Sequence, residues 1–129
     1  MDTDNNLDSR GMILVIDDED MLRDVLKEVL DMAGFFALFA GSGKEGLELF
    51  EKNRDKIKLV ILDVLMPEMS GIETYNAIFA LEPDMRFIFM SGFPDKDALA
   101  LRELVGDYMF VRKPFSVNDI VTKIKQALS

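Results

Sequence analysis

The chain has 129 residues, 49% hydrophobic and 30% charged, which suits one domain around a single core. Its 24 acidic against 15 basic residues leave a net charge of −9, and no segment concentrates Lys and Arg among aromatics, which argues against nucleic acid or an anionic membrane as a partner. With no cysteine and no histidine, disulfides, thiol chemistry, Cys/His zinc sites and histidine-dependent triads are excluded; carboxylates, hydroxyls and lysines remain, an inventory that favours a hard cation, Mg2+ above all, if a metal is used.

The first ten residues, MDTDNNLDSR, are poor in apolar groups and are expected to form a disordered tail over 1–10 ahead of one folded domain over 11–129. They have no basic segment followed by an apolar core, and no apolar run approaches a bilayer span, so a cytoplasmic protein is expected. Met12–Ile16 reads as the first strand. Leu22, Val25, Leu26, Val29 and Leu30 then share a helical face that ends at Gly34. Phe35–Phe39 is the second strand, and Ser42 with Glu45 three residues later marks a helix start. Leu59–Leu62 is the third strand, followed by a second such start at Ser70 and Glu73. Phe87–Met90 is the fourth, with a helix expected over about Asp95–Leu104. Met109–Val111 is the fifth, and Ser116 with Asp119 opens a last helix whose stripe is Val117, Ile120, Val121, Ile124 and Leu128.

Near-continuous apolar strands alternating with helices predict an α/β fold, a doubly wound parallel sheet in a three-layer sandwich with helices on both faces. Ligands of such sheets bind beyond the carboxyl ends of the strands. Four strands end in a reactive group: Asp17 and Asp18 after the first, Asp63 after the third, Ser91 after the fourth and Lys113 after the fifth. Brought to one edge, three carboxylates would repel one another unless a cation intervened. Lys113 and a divalent ion balance them, a Mg2+ site prepared for phosphate.

Each residue alone has a plainer reading. Asp17, Asp18 and Asp20 could cap the first helix, Asp63 and Ser91 could belong to turns, Lys113 could be a surface lysine before Pro114, and Phe110 could be a core aromatic. Together, the segments LVIDDED, LVILDVLMPEMSG, FIFMSG and FVRKPF resemble the motifs of the response-regulator receiver family of two-component signalling over about residues 11–128.

That resemblance implies a flavodoxin-like, five-stranded sheet in order 2-1-3-4-5, with Asp63 as the residue that accepts a phosphoryl group from a histidine kinase or histidine phosphotransfer protein. Asp18, Asp63 and the backbone carbonyl of Leu65 would bind Mg2+ directly, and Asp17 through water. Lys113 would meet a phosphoryl oxygen, aimed by a cis Lys113–Pro114 bond. Ser91 and Phe110 would be the switch pair that alters an output face for a downstream protein target or output domain. Receivers are signalling domains rather than enzymes, apart from catalysing their own phosphorylation and dephosphorylation. In this family, the positions two after the acceptor and two after the switch hydroxyl flank the hydrolytic water. Here they are Leu65 and Phe93, neither able to orient water, and slow loss of phosphate is expected.

Three rivals are less well supplied. A haloacid-dehalogenase type phosphatase needs a second acid two residues after its nucleophile, where this chain has Leu65. A flavin carrier needs a phosphate-cradling loop where this chain has the acidic DDED. A degenerate receiver that only binds proteins would not need the full acid, hydroxyl and lysine set. The FMSGF stretch and polar tail resemble the carboxy-terminal receivers of hybrid histidine kinases. Because the sequence ends with the fifth helix, no output domain is expected on this chain.

Overall fold

In a computed structural model, the described residues are 11–64, 66, 69–92, 99, 103 and 110–129. The strands are β1 (Met12–Ile16), β2 (Phe36–Ala40), β3 (Ile57–Asp63), β4 (Arg86–Ser91) and β5 (Phe110–Arg112), and the helices are α1 (Asp20–Met32), α2 (Gly43–Lys52), α3 (Gly71–Leu81) and α4 (Val117–Leu128). The expected tail, Leu65, Phe93, Met109 and the helix over Asp95–Leu104 lie outside the described residues, except that Leu99 and Glu103 are helical. No described helix is long and apolar enough to cross a membrane.

All four strand pairs are parallel, in the order β2-β1-β3-β4-β5. β1 and β3 are therefore central, and their side chains are buried on both faces apart from Lys58. Leu14, Ile16, Val60, Leu62, Phe87 and Phe89 face α2 and α3, where Phe50, Tyr75 and Ile78 cover them. Ile13, Val15, Leu59, Ile61, Ile88 and Met90 face α1 and α4, where Leu26, Leu30, Ile120 and Ile124 cover them. Each large apolar side chain buried this way contributes about 1.5–3 kcal/mol, so the two cores hold the central strands most firmly.

The expected stripes need two adjustments. Val25 is 49% exposed and Val117 57% exposed, because each lies on the flank of its helix rather than over the sheet. β2 starts one residue later than the apolar run indicates. Gly34 has φ +83°, its N–H donates to Asp31 O at 3.1 Å, and the N–H of Phe35 donates to Leu30 O at 2.9 Å. That pair of bonds is a Schellman cap, so Phe35 closes α1 before the strand begins. All three Ser-led starts hold: Ser42, Ser70 and Ser116 accept from the N–H of Glu45, Glu73 and Asp119 respectively, and Glu73 also returns a bond to the N–H of Ser70.

Candidate functional site

Register brings the strand ends together. Ile16 pairs with both Ala40 and Leu62, Asp63 pairs with Met90, and Ser91 pairs with Arg112. Asp17 consequently stands beside Asp63, and Lys113 one step beyond Ser91, its N–H donating to Ser91 O at 2.9 Å. One carboxylate oxygen from each of Asp17, Asp18 and Asp63 lies within 4.8 Å of the others. Asp17 has no exposed surface, Asp63 is 3% exposed and Ser91 5%, whereas Asp18 is open to solvent.

Asp17 is held at every polar atom. Its N–H donates to Ala40 O at 3.0 Å and its carbonyl accepts from Arg23 Nη1 at 2.6 Å. Oδ1 accepts from the N–H of Glu19 at 2.9 Å, and Oδ2 accepts from Lys113 Nζ at 3.2 Å. The helix-capping reading of these acids does not hold: α1 is N-capped at Glu19, whose side chain makes no capping bond. That side chain turns instead to Lys113, Oε1 to Nζ at 3.2 Å.

Lys113 thus meets three carboxylates, with Asp63 Oδ2 at 3.3 Å. Burial works to lower its pKa, but the charges of Asp63 and Asp17 and the hydrogen bonds to Glu19 and Asp17 outweigh this and hold it above the ordinary lysine value. The ammonium is therefore fully charged at neutral pH. Shared among Asp17, Glu19 and Asp63, that one ammonium is outnumbered by the carboxylates gathered here, and a divalent cation would offset the excess. Oxygen-only donors with one solvent-facing arm fit a hard cation that keeps part of its water.

Lys113–Pro114 is a cis peptide. Phe110, 9% exposed, is not part of the acidic cluster. Its ring lies 5.9 Å from that of Phe89, at the end of an aromatic row that continues to Phe87 and Tyr75. Reading the sequence missed two contributors, Glu19 and Arg23. Glu19 is visible as the third acid of DDED; Arg23 follows Asp20 at helical spacing, and only the fold shows that it reaches back to Asp17.

An acidic triad and lysine at the carboxyl edge of a five-stranded doubly wound sheet define a class of phosphoryl-handling α/β domains. The response regulator receiver domain matches residues 13–125. The chain is 35% identical to the sensor kinase CckA of Brucella abortus over 95% of its own length and 13% of that protein. It is 33% identical to the transcriptional regulatory protein CpxR of Escherichia coli over 90% of its length and 48% of that protein. It thus spans half or less of both relatives. A response regulator receiver domain protein from Clostridium thermocellum superimposes with a TM-score of 0.83 at 35% identity, covering 92% of this chain and 94% of that one. The chain belongs to the response regulator receiver family. It is a receiver domain of two-component signalling.

Proposed function

We propose that Asp63 is the phosphoacceptor of this receiver, taking its phosphoryl group from a histidine of a partner kinase or phosphotransfer protein in the cytoplasm. The observation that carries this reading is the placement of Lys113 Nζ 3.3 Å from Asp63 Oδ2, beside two further aspartates. In the transfer, a carboxylate oxygen of Asp63 forms the new bond to phosphorus. The bond from phosphorus to the imidazole nitrogen breaks, and its electron pair stays on the imidazole. Lys113 would exchange carboxylate for phosphoryl oxygen, and Asp17 and Asp18 with Asp63 would hold Mg2+. Bound there, Mg2+ supplies charge compensation for the phosphoryl oxygens.

Ser91 and Phe110 are proposed as the switch pair. Drawing the Ser91 hydroxyl toward the phosphoryl group frees space for Phe110 and biases an existing equilibrium of the β5–α4 surface. An open cleft of about 560 Å3 there, lined by Phe110, Arg112, Asn118 and Thr122 among others, supports a downstream protein or output domain as the reader.

The test is incubation with acetyl phosphate and Mg2+, which should add one phosphoryl mass to the wild type and none to Asp63→Asn. Labelling that survives in Asp63→Asn would move the acceptor elsewhere. A phosphate mimic should shift amide NMR signals on β5 and α4; shifts confined to the neighbourhood of Asp63 would refute the coupling.

A further inference from the structure

We infer that Arg23 is a positioning residue that sets the divalent-cation affinity of the site through the Asp17–Asp18 peptide. This rests on the reading that Asp17, Asp18 and Asp63 hold a cation. Asp18 is the solvent-facing member of that cluster, and no described side-chain hydrogen bond fixes its carboxylate. The backbone at Asp18, including the peptide unit that precedes it, therefore sets the point and direction from which that carboxylate extends. Arg23 Nη1 donates to the carbonyl oxygen of that unit at 2.6 Å, while Nη2 pairs with Asp20 in the first turn of α1.

The same guanidinium lies against the backbone of Gly41, beyond β2. A Cβ added at Gly41 would come 3.1 Å from Nη1, 3.4 Å from Cζ and 3.6 Å from Nη2. Gly41 is itself tied to α2, its N–H donating to Glu45 Oε1 at 2.7 Å. One planar fork thus joins the loop after β1, the start of α1 and the loop after β2. A lysine could reach one of these acceptors but not hold both, since it lacks the fixed pair of donors.

Charge and position make opposite predictions. Arg23 is a cation close to an acidic site, so if only its charge mattered, removing it would tighten Mg2+ binding. As a positioning group its loss weakens binding, because ligands whose supporting hydrogen bonds are removed lose metal affinity about tenfold or more.

The experiment is Mg2+ titration of the wild type, Arg23→Lys, Arg23→Met and Gly41→Ala, followed by backbone amide NMR, with thermal unfolding measured in parallel. Arg23→Lys, with charge unchanged, should bind Mg2+ about tenfold more weakly, and Arg23→Met should also bind more weakly. Gly41→Ala keeps the arginine and displaces it by a few tenths of an ångström, so it should show a smaller loss in the same direction. If neither Arg23 variant folds, Gly41→Ala decides. Wild-type affinity in Arg23→Lys, tighter binding in Arg23→Met, or no change in Gly41→Ala would overturn the inference. A wild type whose signals around Asp17, Asp18 and Asp63 do not respond to Mg2+ would instead overturn the cation reading, and this inference with it.

Discussion

Lys113 reaches across 96 positions of sequence to place Nζ 3.2 Å from Oδ2 of Asp17, a carboxylate with no exposed surface. Two buried or nearly buried aspartates share that ammonium, since Asp63 Oδ2 lies 3.3 Å from it as well. Lys113→Met should therefore lower stability at neutral pH, without added divalent ion, by on the order of 3 kcal/mol. The pH dependence follows from the raised pKa of Lys113. Its stabilisation is complete below the unfolded lysine value, about 10.4, and is lost as pH rises through the higher folded value. Urea unfolding monitored by circular dichroism should show a gap between wild type and variant that is constant from neutral pH to about 10 and narrows above it. A gap that closes below pH 9 would contradict this account.

Asp17 and Asp18 are neighbours in sequence with different structural duties. Asp18 is exposed, so Asp18→Ala should change stability by no more than about 0.5 kcal/mol. Its Mg2+ affinity should fall on the order of tenfold, because a proposed ligand and a charge are both removed. Asp17→Ala takes the acceptor from Lys113 and from the N–H of Glu19 and should destabilise the fold as well. Calorimetric Mg2+ titration together with unfolding curves separates the two; equal stability losses would refute the division.

Gly71 opens α3 pressed against the chain that leaves β3. A Cβ there would lie 2.6 Å from Val64 Cα and 2.7 Å from Asp63 O, and its own N–H donates to Val64 O at 3.0 Å. Backbone cannot rotate aside, so Gly71→Ala should cost about 2–4 kcal/mol and slow the proposed phosphorylation of Asp63. At Gly46 the obstacle is the Ile16 side chain, and the gain in helix propensity offsets part of the crowding. Gly46→Ala should cost less than half as much, measured by thermal unfolding.

The lifetime of the phosphorylated form is proposed to depend on Leu65 and Phe93. Replacing both by water-orienting groups, Leu65→Asn with Phe93→Glu, should speed loss of phosphate about ten- to a hundredfold with the Mg2+ requirement intact. Decay followed by intact-mass spectrometry tests it; a wild-type lifetime of seconds, or an unaccelerated double variant, would show that these side chains do not control the water.

The strands were legible because burial on both faces leaves an unbroken apolar run, as in Met12–Ile16. Where one residue faces solvent the run breaks, and β3 accordingly starts at Ile57, before the exposed Lys58, rather than at Leu59. The acidic strand ends were legible because Asp17 and Asp63 directly follow such a run, and Lys113 because it stands two residues beyond one. Arg23 was not, since its partner is a backbone carbonyl and its platform is Gly41 on another loop, neither of which leaves a periodic trace. Glu19 was not singled out either, because only the approach of Lys113 from the far end of the sheet separates it from the other acids of DDED.

Among the described residues, β5 has three residues and one neighbour, β4, yet Lys113 follows directly from it, while the aspartates extend from β1 and β3 at the centre of the sheet. The weakest-anchored ladder therefore carries the positive charge and the best-anchored ladders carry the negative ones. Partial opening is expected to start at this edge and to release Lys113 while β1 and β3 stay paired. Amide hydrogens of Val111 and Arg112 will exchange ahead of those of Val15 and Ile61. A divalent cation in the cup would compensate the charge that Lys113 leaves behind and should make that release of the edge less costly.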